Sequence, residues 1–104
     1  METKYRVVSG SMEPLIHIGA ELILESVKLE DVKRFDILVF KETPVYMCHY
    51  VWHVNKTFNK GDIITRSLKE GHCDDAFGFE KVLGRVVNYK IGFLTKCKIL
   101  LGLV

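Results

Sequence analysis

The feature that most constrains this chain is its punctuation. Short apolar runs follow one another, each stopped by turn-forming residues before a helix could establish itself. Lys4 to Val8 reads as a strand. Glu21 to Val27 reads as another, with Leu22 and Leu24 alternating against Ile23 and Glu25. Charged residues from Lys28 to Arg34 suggest a turn or one helical turn. Asp36 to Phe40 is a short apolar strand, broken by Lys41-Glu42-Thr43-Pro44. Tyr46 to Val54 is aromatic and β-branched, the composition that suits a pleated surface. Asn55 to Gly61 is a turn, Asp62 to Thr65 resumes a strand, and Asn59-Lys60-Gly61-Asp62 suggests a hairpin between them. Ser67 to Gly78 is a polar loop, and Glu80 to Tyr89 is the last clear strand. This series predicts a mostly β fold, a curved antiparallel β-sheet or partly open barrel. Ile91 to Val104 has two readings: a helix closing the core, or a basic, apolar tail that touches a membrane or partner.

Length and composition narrow the classes. The 104 residues fit one domain spanning 1–104 with a modest core. At 48% hydrophobic and 27% charged, the chain is neither disordered nor a membrane bundle. A net charge of +2, without basic clusters interleaved with aromatics, argues against a nucleic-acid partner. Cys48, Cys73 and Cys97 form an odd set without tight spacing, which points to a reducing compartment and a cytoplasmic location. The first strand begins almost at Met1, leaving no expected secretory signal, and no run of about 20 apolar residues is present.

Ser9-Gly10-Ser11-Met12-Glu13-Pro14 is where chemistry is expected. If the first strand continues through it, side chains at i and i+2 point the same way, so Ser9 and Ser11 would face one site. Gly10 would let a substrate backbone approach, and Pro14 would fix the exit of the chain. A serine hydroxyl needs a base within reach. Imidazole, with a pKa of about 6.5, can accept a proton and later return it. His49, in the aromatic strand, is the candidate base.

SGSMEPLIHIGA followed by ELILESV resembles the opening block of the signal peptidase and SOS-repressor (LexA-like) self-cleaving serine peptidase superfamily. Four later stretches resemble further blocks in the same order: Phe35 to Phe40, His49-Tyr50-Val51-Trp52, Ile63-Ile64-Thr65-Arg66 running to Asp74-Asp75, and Val82-Leu83-Gly84-Arg85-Val86-Val87. The resemblance implies that fold and a serine endopeptidase that cleaves a leader or precursor peptide without a cofactor. It assigns Ser11 as nucleophile and His49 as base, as in the histidine branch. Asp75, or Asp74 beside it, would orient His49. Ser11, Ser9 and the neighbouring Met12 would form the oxyanion and substrate-binding segment. Leu15, Ile16 and Val39 would be pocket walls by position. The chain departs from the pattern at Ala20 and at Ser67-Leu68, where the family carries Gly-Asp or its aspartate. The membrane helix or DNA-binding domain that precedes the block in relatives is not expected here.

The alternative in another class is a catalytically idle domain of the same fold that binds a peptide or protein. His53, four residues after His49, would share its face on a regular strand. Without C-x-x-C or H-E-x-x-H spacing, no metal site is expected. Lys41 and Lys56 stand outside the base block. Trp52, Phe40 and Cys48 are expected to pack in the core.

Overall fold

A computed structural model describes residues 3–56 and 62–102. Seven strands form one open sheet in the order β1-β2-β7-β3-β4-β5-β6, every neighbouring pair antiparallel. They are β1 (Thr3–Arg6), β2 (Glu21–Glu25), β3 (Ile37–Glu42), β4 (Val45–Asn55), β5 (Asp62–Arg66), β6 (Phe77–Gly78) and β7 (Val82–Val86). Two 3₁₀ turns, Leu29–Asp31 and Phe79–Lys81, and one helix, α1 (Phe93–Leu100), complete the described chain. The mostly β, antiparallel expectation is met.

The sheet separates two apolar clusters, and β3 shows how. Its residues Ile37 to Phe40 are all buried, yet they alternate: Ile37 and Val39 join one cluster, Leu38 and Phe40 the other. That is the period-2 pattern of a strand covered on both faces. The larger cluster adds Val7, Met12, Ile16, Leu22, Leu24, Tyr50 and Ile99, and the smaller adds Val32, Val51, Ile63 and Phe77.

β4 carries the irregularity that matters most. Cys48 and Tyr50 enter the larger cluster, and Val51 the smaller. The pairing with β5 then slips between Val51 and His53, a β-bulge, and Val54 rather than His53 packs with Val51. One extra residue inverts the alternation beyond it. His53 is therefore exposed and does not share the face of His49, contrary to the spacing argument.

Other differences have local causes. The polar stretch Ser67 to Gly78 contains β6, a strand of two residues that pairs with Asp62 and Ile63. Phe77 stacks on Phe40 with ring centroids 4.1 Å apart, a contact worth about 0.5–1.5 kcal/mol beyond area burial. The expected strand from Glu80 begins only at Val82, because Phe79–Lys81 closes a 3₁₀ turn first. The expected hairpin at 59–62 lies outside the described residues except for Asp62, which pairs with Asn55. In the last segment α1 packs Ile99 into the larger cluster, as the helix reading expects. Among the described residues, no helix is long and apolar enough to cross a membrane.

Candidate active site

The His49 side of the site is built by cross-strand registry. His49 stands two residues before Val51 on β4, so both side chains leave the same face. Thr65 on β5 is the partner of Val51. Cross-strand partners present neighbouring side chains on one face, which brings the Thr65 hydroxyl alongside His49. Both are buried, and the His49 ring meets Phe40 edge-on with centroids 6.1 Å apart.

Asp74 reaches them through a tight loop. Gly71 N–H donates to Ser67 O, and Glu70 N–H to Ser67 Oγ. Gly71 takes φ +71°, a left-handed conformation that favours glycine. The Arg66 guanidinium donates to Gly71 O, and Cys73 bridges back to Arg66. Asp74 N–H then donates to Thr65 O at 2.8 Å, anchoring Asp74 beside β5. Its Oδ2 lies 2.5 Å from His49 Nδ1 and accepts the Thr65 hydroxyl at 2.6 Å.

This arrangement selects between the two aspartates. Asp74 orients the imidazole, whereas Asp75, the residue preferred from the sequence, is exposed and does not meet it. The loop length, counted through Gly71, decides the matter. Leu68, where the family pattern carries an aspartate, is buried in the larger cluster.

A carboxylate accepts hydrogen bonds and cannot donate them, so the proton of the neutral imidazole belongs on Nδ1. Nε2 then carries the lone pair. That atom is buried and has no hydrogen-bond partner among the described residues. Buried polar atoms are rarely left so.

The serine side is built differently. β1 ends at Arg6, so Ser9 and Ser11 sit in a bend and a turn rather than on a strand. They converge nonetheless, with Oγ atoms 3.3 Å apart. Met12 and Ile16 are buried and pin the turn to the larger cluster. Lys69 N–H donates to Ser11 O at 2.9 Å, tying this turn to the loop that delivers Asp74. Met12 is thus a packing residue, not a wall of the site.

Ser9, Gly10, Ser11, Met47, His49 and Asp74 border one cavity of about 460 Å³. Ser67, Lys69, Glu70 and His72 complete its lining, residues to which sequence reasoning gave no role in the site. Thr65 was missed likewise; its signal is a hydroxyl on the strand that follows the base strand. Ile16 and Val39 are fully buried and do not line this cavity. Leu15 instead borders a second cavity, of about 310 Å³, with Pro14, Leu68, Ile91, Thr95 and Lys98.

The remaining candidates are accounted for elsewhere. Lys41 is exposed, and Lys56 donates to Glu30 O. Trp52 is half-buried beneath the guanidinium groups of Arg34 and Arg66, 4.6 and 4.5 Å from its ring centroid. Cys48 packs in the larger cluster, where burial pushes its thiol pKa up to about 12. Among the described residues, no group of three or more His, Cys, Asp or Glu side chains could hold a metal ion. No protein-family model, curated protein or solved structure matches this chain.

Proposed function

We propose that the chain is a serine endopeptidase of the signal-peptidase-like class, its sheet serving as the LexA-like catalytic core. The observation that carries this reading is His49. Its Nδ1 is fixed by Asp74, its Nε2 is buried without a hydrogen-bond partner among the described residues, and the residue borders a cavity that Ser11 also borders. A packed core histidine would ordinarily satisfy both nitrogens.

On this reading Nε2 takes the Ser11 proton as Oγ bonds to the substrate carbonyl carbon. Asp74 stabilises the imidazolium without itself being protonated. The oxyanion is met by the Ser11 N–H and by Ser9, through its hydroxyl or N–H. The C–N bond breaks as imidazolium returns the proton to the leaving amine, leaving an acyl ester on Ser11. Water attacks that ester, again with His49 as base, and frees the acid. The substrate is a leader or precursor peptide bound in an extended form.

A second reading is favoured by one observation. The Ser11 hydroxyl pairs with Ser9 rather than with His49, as in an idle domain that only binds a peptide or protein. A serine-reactive acylating probe, read by intact mass, separates the two. The expected result is one adduct on the wild type, lost in Ser11→Ala and His49→Ala. A wild-type protein that folds but takes no adduct from probes of several sizes establishes the binding domain instead.

A further inference from the structure

The helix α1 has two apolar sides, and the core uses only one. Ile99 is buried against the larger cluster. Phe93, Leu94, Leu100 and Leu101 lie four before, three before, three after and four after Cys97, so they share its face. That face points outward: the four residues are 69%, 78%, 55% and 73% exposed. A surface helix of a soluble domain normally turns polar residues that way.

The charge around this face is predominantly basic. Lys96 and Lys98 are exposed on its two flanks. After Glu80 the sequence contains no Asp or Glu, while Lys81, Arg85, Lys90, Lys96 and Lys98 follow. Beside the helix lies a cavity of about 460 Å³ bordered by Arg34, Phe35, Arg85, Lys90 and Lys96. Its acids, Glu25 and Asp36, are both bridged by Arg85, at 2.8 and 3.4 Å. Arg34, Lys90 and Lys96 have no carboxylate partner among the described residues; Lys96 Nζ lies 5.5 Å from the Phe35 ring centroid.

We infer that α1 docks on an anionic lipid surface. Phe93, Leu94, Leu100 and Leu101 enter the headgroup boundary, and Lys90, Lys96 and Lys98 meet lipid phosphates. An apolar stripe edged by lysines suits a helix lying in that plane. The predominantly basic surround suits anionic headgroups and fits poorly against another copy of the same basic face. This inference is independent of the peptidase reading.

The test is co-sedimentation of the full chain with vesicles of equimolar phosphatidylcholine and phosphatidylglycerol, and with phosphatidylcholine alone. Pelleting is expected with the first and not the second, and raised salt should release the protein. Each of Lys90→Gln, Lys96→Gln and Lys98→Gln should weaken partitioning about fivefold, the factor for about 1 kcal/mol per basic residue near such a surface. A combined Phe93→Ser, Leu94→Ser, Leu101→Ser variant changes exposed side chains only. It should keep the wild-type circular dichroism and lose binding. Absence of wild-type binding to anionic vesicles overturns the inference, as does binding that survives the triple variant. A dimer in sedimentation velocity that the triple variant dissolves also overturns it, by assigning the face to a second copy.

Discussion

The two halves of the candidate site are held by different means. His49 and Thr65 stand on neighbouring strands, buried, and converge on Asp74 through contacts of 2.5 and 2.6 Å. Ser9 and Ser11 stand on an irregular segment, exposed and half-buried, and share a single contact of 3.3 Å. The base side is set by sheet registry, which admits little adjustment. The serine side is set by two buried anchors, Met12 and Ile16, and one backbone bond from Lys69. A rigid base facing an adjustable nucleophile suits the proposed chemistry, in which the Ser11 hydroxyl exchanges Ser9 for His49.

Four sets of substitutions and one titration probe that contrast. The largest effect is expected at the base side. Asp74→Asn should lower the acylation rate by about 10⁴-fold, because the imidazole would then favour the wrong tautomer. Asp75→Asn should leave the rate unchanged; equal losses in both variants would dissolve the assignment to Asp74. Next comes Ser9→Ala. Loss of an oxyanion donor costs about 10²–10³-fold. A rate that stays level or rises would instead make Ser9 only the resting partner of Ser11.

Thr65→Val removes one hydrogen bond to a carboxylate, worth about 1.5–3 kcal/mol. Acylation should fall by roughly one to two orders of magnitude, with recovery in Thr65→Ser. A fall in thermal stability with an unchanged rate and pH profile would reduce Thr65 to a structural role.

Much of this architecture was legible in the residues, and the exceptions have physical causes. Six strands are bounded by turn signals, and each was found within a few positions. β6 was not, because two residues carry no periodicity; it exists through Phe77 packing on Phe40. Ser9 and Ser11 border one cavity, as their spacing leads one to expect, but a turn brings them there rather than a strand. Asp74 could not be separated from Asp75 by composition, since the left-handed Gly71 sets the count of the loop. Leu68 looked like a lost aspartate and is a core residue.

A comparison of two glycines gives a smaller effect. A Cβ at Gly84 would lie 3.0 Å from the Glu25 carbonyl oxygen and from Leu24 Cβ, inside the sheet. Gly84→Ala should cost about 1–3 kcal/mol in denaturant unfolding. At Gly10 the obstacle is the Glu13 carboxylate, the end of a flexible side chain, so Gly10→Ala should destabilise less. The reverse order would mean that the turn carrying Ser9 and Ser11 is the stiffer region.

The smallest effect is a slope. The Cys48 thiol is raised from 9.0 to about 12 by burial, so it stays protonated in the folded chain while the unfolded chain ionises. Its contribution to stability is complete below pH 9 and is lost as pH rises towards 12. Thermal unfolding should show a flatter alkaline decline in Cys48→Ala than in the wild type. Parallel declines would remove Cys48 from the account.

The bulge in β4 divides that strand into two stretches with different tolerance for change in length. A residue inserted or deleted between His49 and Val51 would turn His49 away from Thr65 and Asp74, or else drive Val51 out of its cluster. Beyond His53 the same edit would shift only the far end of the strand, whose alternation is already offset from that of the site. Length variation among descendants of this chain should therefore collect on the Asn55 side and be rare on the His49 side. A library of single-residue deletions across β4, scored for folded protein, would trace that boundary.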